Sequence, residues 1–227
     1  MYLPMRLPRE TGRDYALRTM KENIIRMELT PGSMVSENEL AAAMGLSRTP
    51  VREALLELSK VKIVEIYPQK GSRISLIDDT LVEEARFMRN VLECAVAELD
   101  CAVITPEALL RLQENVKLQQ YYLDNYYPEH LMDLDNQFHT ILFEIARKEQ
   151  IHAMMDTISI HFNRMRRLSL EAVKGTKIVQ DHADIMDAIA SHDPLRAKAL
   201  MDTHLRRYNI DVITLREKYP SYFCSVQ

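Results

Sequence analysis

Glycine is scarce in this chain: 227 residues contain five, where average usage would give roughly fifteen. Because glycine is the residue that readily adopts positive φ, turns that need such backbone must be rare, which disfavours sandwiches, barrels and propellers. The glycine-rich motifs that bind nucleotide phosphates, G-x-G-x-x-G and G-x-x-x-x-G-K-[ST], are missing as well. The composition therefore favours a mainly α protein of one or two domains without a nucleotide-binding loop.

Cysteine and long apolar runs are also scarce. Cys94, Cys101 and Cys224 form an odd number without C-x-x-C spacing, which indicates reduced thiols rather than a disulfide framework. The first residues lack the apolar segment of an export signal, and no run of 18 apolar residues follows. These absences predict a cytoplasmic protein that does not span a membrane.

Charge is unevenly divided along the chain. Residues 1–77 contain twelve Lys and Arg against nine Asp and Glu, whereas residues 78–227 contain 17 against 24. A basic front part is thus joined to an acidic back part, although the net charge of the whole chain is only −4. Such an asymmetry also arises by chance on solvated surfaces, so charge alone does not establish binding of nucleic acid.

Three helices and a pair of strands are predicted for the front part, after an N-terminal arm over residues 1–13. Apolar residues at helical spacing, an S-x-x-E capping box that begins at Ser36, and a proline in the first turn of the third helix support the helices. Alternating residues on both sides of a turn support the strands. The predicted helices cover 14–27, 37–44 and a segment that begins at Ser47, and the strands cover 62–67 and 72–76. This order predicts a winged helix-turn-helix domain over residues 1–77.

The third helix presents two arginines on one face. Arg48 and Arg52 are four residues apart and therefore project together, with Thr49 beside them. Such a face suits the major groove, because arginine can donate two hydrogen bonds to guanine, while Ser47, Thr49 and helix N–H groups can bind phosphates. The alternative is that both arginines are solvated and pair with nearby glutamates.

The front part resembles a known DNA-binding domain. From about Leu17 to Ser75 it is similar to the winged helix of the GntR family of bacterial transcription regulators, through PGSMVSENELAAAMGLS, SRTPVREALLEL and KVKIVEIYPQKGSRIS. The resemblance implies that the third helix enters the major groove and that the wing approaches the minor groove or the DNA backbone. The residues implied in major-groove contacts are Arg48, Thr49 and Arg52, and those implied in wing contacts are Lys70, Gly71 and Arg73.

The back part, residues 78–227, is predicted to form an antiparallel bundle of six or seven helices. Thr105-Pro106 and Asp193-Pro194 mark two helix starts, because the first residue can cap the helix and proline is tolerated in its first turn. The predicted helices cover 79–103, 106–124, 128–147, 149–172, 177–191 and 194–219.

Three histidines and one aspartate lie on the predicted core-facing sides of these helices. Asp135 and His139 share a face because they are four residues apart, and His182 and His204 each lie within an apolar stripe. Burial without partners would cost free energy, which convergence on a divalent metal would offset. The alternative for each histidine is a hydrogen bond within the core. The other histidines are expected at the surface or in caps: His130, His152, His161 and His192.

A second resemblance covers nearly all of residues 80–215. LDNQFH, QDHADI and DTHLRR are similar to the D-x-x-x-H motif and the two later histidines of metal-binding FCD domains, which follow GntR-type winged helices in the FadR subfamily. The resemblance implies that Asp135, His139, His182 and His204 bind one divalent metal ion per chain. Zinc is expected first, and nickel, cobalt, manganese and iron also suit these ligands.

The second resemblance also implies an effector and a partner. Arg89 matches a position where FCD domains keep an arginine near the pocket, so an effector carboxylate could bridge Arg89 and the metal. Arg86 or Arg164 could take this role instead. The expected protein is a homodimeric repressor that binds a palindromic DNA operator and responds to a small organic acid or sugar acid.

Two other functions remain open at this point. A helical metal-dependent hydrolase would use the same four ligands, but no general base or nucleophile motif accompanies them. A DNA-binding protein whose bundle only dimerises would use the histidines for hydrogen bonds within the core. Metal content separates the metal-binding regulator and the hydrolase, which both hold an ion, from the protein whose bundle only dimerises.

Overall fold

The structure, a computed structural model, describes residues 1–125, 127–169, 176–207 and 212–225. It divides into two compact units, each with its own hydrophobic core. The first unit consists of Met1–Glu83, Thr157–Ser169 and Asp211–Gln227, and the second of Glu84–Asp156 and Leu170–Ile210. The two predicted domains, residues 1–77 and 78–227, stay a prediction, and the first unit draws on two later segments as well.

Three helices of the first unit form the helix-turn-helix region. The Thr11 hydroxyl caps the first helix by accepting a backbone hydrogen bond. The Ser36 hydroxyl accepts from the Asn38 N–H instead of the Glu39 N–H that the capping box predicted. Gly45, with φ of 65°, ends the second helix in a left-handed conformation that favours glycine. The helices are α1 (Gly12–Ile25), α2 (Glu37–Met44) and α3 (Arg48–Lys60).

The wing belongs to a three-stranded antiparallel sheet with the order β1-β3-β2. Its strands are β1 (Met34–Val35), β2 (Val64–Tyr67) and β3 (Gly71–Ile74). Two residues are too few to show alternation, which is why the sequence did not reveal β1. Gly71 has φ of 101°, and a Cβ atom there would lie 3.0 Å from the Val35 carbonyl oxygen. Glycine at this position therefore allows β1 to approach β3.

Eight α-helices follow residue 78 within the described residues, where the sequence predicted six or seven. The predicted helix over 149–172 is interrupted at Ser159, inside a Thr-Ile-Ser-Ile run with low helix propensity. Two helices, Pro194–Arg207 and Val212–Lys218, lie within the predicted helix over 194–219. Residues 208–211 between them lie outside the described ranges. The eight are α4 (Asp79–Val103), α5 (Pro106–Asp124), α6 (Pro128–Ile145), α7 (Glu149–Ile158), α8 (Ile160–Ser169), α9 (Thr176–Ala190), α10 (Pro194–Arg207) and α11 (Val212–Lys218).

The core of the second unit is built from the apolar faces of its helices. Phe138 and Leu142 on α6 pack with Ile185 and Ile189 on α9 and with Met201 on α10. The fold class is therefore the predicted one, mainly α with a small wing. In the described part of the chain, no helix is both long enough and apolar enough to cross a membrane.

Candidate nucleic-acid interface and metal centre

The start of α3 presents the residues predicted to contact DNA from this helix. Ser47, Arg48, Thr49 and Arg52 are all exposed, whereas the opposite side of the helix, which includes Leu55, is buried. Ser47 is the N-cap residue, and its side chain makes no capping hydrogen bond. The first N–H groups of a helix have no partner within it and favour negative charge, so this end of α3 suits a phosphate.

One arginine of this face has a protein partner. The Arg48 Nη2 atom lies 3.1 Å from the Glu37 Oε2 atom, and the Arg48 side chain is 68% exposed. The alternative, that the two arginines pair with Glu53 or Glu57, is not seen among the described residues: Arg48 pairs with Glu37, and Glu57 pairs with Lys60 and Arg13. Arg48 and Arg52 also line a groove that the wing borders.

Lys70 and Arg73, the two basic residues predicted to contact DNA from the wing, have different surroundings. Lys70 is exposed in the turn between β2 and β3. Arg73 Nη2 lies 2.6 Å from Glu65 Oε2, and the same carboxylate oxygen accepts a hydrogen bond from the Tyr67 hydroxyl at 2.5 Å. The Tyr67 hydroxyl, helped by Arg73, holds the pKa of Glu65 below its usual range. A phosphate that binds Arg73 must therefore compete with Glu65.

Four buried side chains of the second unit converge in one place. Asp135 and His139 lie on α6, His182 lies on α9, and His204 lies on α10. The Nε2 atom of His204 is 3.2 Å from that of His182 and 3.3 Å from that of His139. The Asp135 carboxylate lies 3.6 Å from His182 Nε2 and 3.8 Å from His139 Nε2. One potential ligand atom of each residue thus lies within 4.8 Å of the others, so the four residues could hold one metal ion.

A hydrogen-bond chain that begins at the backbone determines which nitrogen of His182 carries a proton. The Leu134 carbonyl can only accept, so Asn115 directs its amide nitrogen toward it, at 3.1 Å. The Asn115 Oδ1 atom then accepts from the Gln119 Nε2 atom at 2.6 Å. Because this leaves Gln119 Oε1 facing His182 Nδ1 at 2.8 Å, Nδ1 must be the donor. The Nε2 atom of His182 therefore offers a lone pair to the cluster.

The other two histidines each face a carboxylate on the side away from the cluster. His139 Nδ1 lies 2.6 Å from Glu93 Oε2, and His204 Nδ1 lies 3.5 Å from Asp181 Oδ2. A carboxylate at Nδ1 favours a proton there and leaves Nε2 as the ligand atom. Burial lowers the pKa of His139 against the opposing effect of Glu93, so this imidazole is expected to be neutral.

The donor set fits a divalent metal ion. With protons on the three Nδ1 atoms, no hydrogen bond can form between the Nε2 atoms, and their three lone pairs lie close to one another and to the Asp135 carboxylate. Such an arrangement is repulsive in a buried site, and a cation between the atoms removes the repulsion. Three imidazole nitrogens and one carboxylate oxygen are ligands that zinc and other divalent transition metals accept.

Arg89 lies next to this centre through Glu93. Its Nε atom donates to Glu93 Oε1 at 2.7 Å, and both side chains are buried. Burial raises the pKa of Glu93, but Arg89 and His139 outweigh that effect and the net pKa is below its usual range. Arg89 therefore keeps Glu93 ionised beside His139. Arg86, an alternative effector residue, lies one turn earlier on α4 and is partly buried.

Two residues of α8 differ from the sequence-based expectation. His161, expected at the surface or in a cap, is buried in the first unit, with Nε2 2.7 Å from the Val61 carbonyl oxygen. Arg164, the other alternative effector residue, is also buried in the first unit and donates to the Ser75 carbonyl at 2.8 Å. Helical periodicity did not reveal this, because it cannot show which unit covers a helix. Of the remaining histidines, His130 and His192 are exposed and His152 is partly buried.

The residues that contact or support the candidate metal ligands were not predicted from the sequence. Glu93 lies one turn after Arg89, and Asp181 directly precedes His182, so spacing could have drawn attention to both. Asn115 and Gln119 are amides on the predicted helix over 106–124, and no local pattern connects Gln119 with a histidine 63 residues later. Their role depends on the packing of α5 against α9.

Known protein families match both the winged-helix part and the helical part of the chain. Residues 84–207 match the FCD domain, and residues 16–74 match the bacterial regulatory proteins of the gntR family. The chain belongs to the gntR family. It is a DNA-binding transcription regulator with an FCD domain, and its relatives are regulators rather than enzymes.

Related regulators align over most of their length with this gntR-family chain. A helix-turn-helix regulator from an unstable DNA locus of Streptomyces ambofaciens is 34% identical over 96% of this chain and 91% of its own. The transcriptional repressor RspR of Escherichia coli is 27% identical, with 91% of each chain covered. Among solved structures, E. coli McbR/YncC shares the fold with a TM-score of 0.80 at 19% identity, over 92% of this chain and 99% of that one.

Proposed function

We propose that this gntR-family regulator binds a two-fold symmetric operator and reads it with α3. Arg48, Thr49 and Arg52 enter the major groove, where the arginines bond guanines, and Ser47 binds a phosphate. The support is the exposure of all four residues at the start of one helix. Wing contacts with the backbone or the minor groove complete the interface, through Lys70, Gly71 and Arg73.

The second unit holds two copies together in this proposal. Exposed apolar residues recur every four positions along α4: Phe87, which is 70% exposed, Val91, Ala95, Leu99 and Val103. A continuous apolar stripe on a 25-residue helix marks an interaction surface. The occupant is a second copy of the chain, because two half-sites require two copies of α3.

The dimer is tested by light scattering of purified protein. Leu99→Glu puts a charge into the stripe and should give monomers, because an unpaired carboxylate is costly in an apolar interface. Leu195→Glu adds the same charge to another exposed leucine, on α10, and should leave the dimer intact. A dimer that survives Leu99→Glu would remove α4 from the interface.

The second unit also serves as the sensor. Asp135, His139, His182 and His204 hold one divalent ion, zinc before nickel, cobalt, manganese or iron, as in metal-binding FCD domains of the FadR subfamily. A bound ion supplies coordination positions for the carboxylate of a small organic acid or sugar acid, and Arg89 supplies a positive charge beside it.

Effector binding releases the operator, so the regulator is a repressor that acts in the bacterial cytoplasm. RspR, a full-length relative, is itself named a transcriptional repressor. An effector can shift DNA affinity only if it binds one state of the protein more tightly than the other. The observation that carries the sensor role is the convergence of four buried residues, Asp135, His139, His182 and His204, with one potential ligand atom of each within 4.8 Å of the others.

The test combines metal analysis with DNA binding by the full-length chain. The purified protein should contain about one divalent ion per chain, and His182→Ala should reduce that content strongly. The DNA probe is a duplex that the wild-type chain selects from a random-sequence library, challenged with a panel of small carboxylates. A carboxylate should lower the DNA affinity of the metal-loaded wild type and leave His182→Ala unaffected. A chain that binds its duplex but no divalent metal would reduce the second unit to a dimerisation bundle.

A further inference from the structure

The winged-helix unit contains a helix from the middle of the FCD segment. α8 lies within residues 84–207, which match the FCD domain, yet Thr157–Ser169 belongs to the first compact unit. Ile160 is 1% exposed and joins the hydrophobic cluster formed by α1, α2 and α3. Residues 1–83 alone therefore lack part of their own core.

Two polar residues of α8 form a hydrogen-bond chain inside this unit. Arg164 Nη1 donates to the Ser75 carbonyl oxygen at 2.8 Å, and Arg164 Nη2 lies 3.2 Å from His161 Nδ1. A guanidinium can only donate, so His161 Nδ1 accepts. The proton of the neutral ring is then on Nε2, which donates to the Val61 carbonyl oxygen at 2.7 Å.

The two ends of this chain lie on the two DNA-reading elements. Val61 is the C-cap residue of α3, and Ser75 directly follows β3 of the wing. Both acceptors are backbone carbonyl oxygens, so the two hydrogen bonds hold the main chain of each element directly. A single pair of side chains, His161 and Arg164, thus joins the end of the recognition helix to the base of the wing.

Burial of the Arg164 guanidinium costs free energy. Its side chain is 0% exposed, Nε has no hydrogen-bond partner among the described residues, and no described carboxylate forms an ion pair with it. Desolvation lowers the pKa of Arg164 to about 10, against a small opposing effect of Cys224. An apolar residue of similar volume would be the cheaper way to fill this space. Only a long side chain with several donors can bind Ser75 and His161 at once.

We infer that His161 and Arg164 are positioning residues that set the angle between α3 and the wing for specific DNA binding. Specific binding requires base contacts from α3 and backbone contacts from the wing at the same time. A change in the angle between α3 and the wing therefore removes one of these two sets of contacts. The sequence-independent attraction of DNA depends on total positive charge and tolerates such a change. The pair therefore affects specificity more than general DNA affinity.

The test measures DNA affinity of the full-length chain for two duplexes of equal length. One is the duplex that the wild type selects from a random library, and the other is an unselected random-sequence duplex. Arg164→Lys keeps the charge and a donor for Ser75 but cannot also reach His161, and Arg164→Gln removes the charge. Arg167→Gln removes a charge from a partly exposed position of the same helix and is the matched control.

Arg164→Lys and Arg164→Gln should lower the ratio of specific to non-specific affinity about tenfold, the order of one lost base contact. Stoichiometric titration counts active molecules, so a variant that folds incompletely changes the active fraction and not the ratio. If Arg164→Gln fails to fold, the Arg164→Lys ratio decides. Hydroxyl-radical footprints should lose protection by the wing while protection by α3 remains.

An unchanged ratio in Arg164→Lys, or an equal loss in Arg167→Gln, overturns the inference. The inference rests on the proposed reading of DNA by α3, and the two can fail separately. A wild-type chain that selects no sequence refutes the proposed reading. A wild type that selects a sequence while the Arg164 variants keep the same ratio refutes only the role of α8.

Discussion

The Oε2 atom of Glu93 lies 2.6 Å from the Nδ1 atom of His139, on the side of the imidazole that faces away from Asp135, His182 and His204. The same carboxylate accepts from Arg89 through Oε1 at 2.7 Å. A carboxylate in this position fixes the tautomer and the orientation of a histidine ligand and raises its basicity. Arg89 therefore acts on His139 through Glu93, whether or not it also binds an effector.

Replacement of Glu93 should weaken metal binding without removing a ligand. Glu93→Gln removes the negative charge that lies beside both His139 and Arg89, so metal affinity should fall roughly 10- to 100-fold. Competition with a chelator measures the change. Glu98→Gln, on the same helix, breaks the exposed pair with Lys198 and should have no effect. Equal affinities in Glu93→Gln and the wild type would show that this contact does not tune the centre.

The contact between Glu37 and Arg48 should couple the two residues in DNA binding. Arg48→Ala should weaken binding to a selected duplex by about 1–3 kcal/mol, as loss of a bidentate guanine contact does. Glu37→Gln should weaken specific binding because it releases the Arg48 side chain, and this loss should vanish in the Arg48→Ala background.

A matched control separates orientation from charge. Glu39→Gln removes the same charge from an exposed position of the same helix, so it reports the general effect of a lost carboxylate near DNA. If Glu37→Gln and Glu39→Gln change the affinity for the selected duplex alike, then Glu37 does not orient Arg48.

Two glycines with positive φ should differ in how well they tolerate alanine. At Gly45 a Cβ atom meets nothing within 4 Å, so Gly45→Ala should cost only the left-handed backbone penalty of about 1–2 kcal/mol. At Gly71 the Cβ atom would also lie 3.0 Å from the Val35 carbonyl oxygen. Gly71→Ala should therefore cost about 1 kcal/mol more in the free energy of unfolding. Urea unfolding of both variants measures the difference, and equal costs would mean that β1 moves away freely.

His161 should lower the free energy of unfolding of the first unit as the pH becomes acidic. Burial, together with Arg164, lowers the pKa of His161 to about 4, against the effect of its hydrogen bond to Val61. The folded imidazole is therefore neutral between pH 4 and 6.5, while the unfolded one is protonated there. Unfolding takes up a proton in this range, so stability is present above pH 6.5 and falls as the pH decreases toward 4.

Comparison with His161→Gln isolates this contribution. Glutamine can still donate to the Val61 carbonyl but does not titrate, so its unfolding midpoint in urea should change less between pH 7 and pH 5 than that of the wild type. The other histidines and the carboxylates contribute equally to both chains. Identical pH dependence in the two proteins would show that His161 is protonated in the folded state or accessible to water.

Local signals were sufficient for most elements of the fold. Ser36 and Gly45 act on their own helix, so the sequence placed both ends of α2 correctly. The four-residue spacing of Asp135 and His139 places them on one face for the same reason. The break at Ser159 and the two-residue strand β1 were missed because a short irregularity has no period.

The sequence by itself determined the winged helix, the helical second part and the shared face of Asp135 and His139, because each of these follows from neighbours a few residues apart. The grouping of His182 and His204 with that pair came from the resemblance to FCD domains. Tertiary structure alone decided that α8 packs in the first unit, that Glu37 meets Arg48 and that Gln119 faces His182 across 63 residues. Helical periodicity reports which side of a helix is buried, but not what buries it. The buried partners, and with them the tautomers of the histidines, exist only once distant segments are packed together.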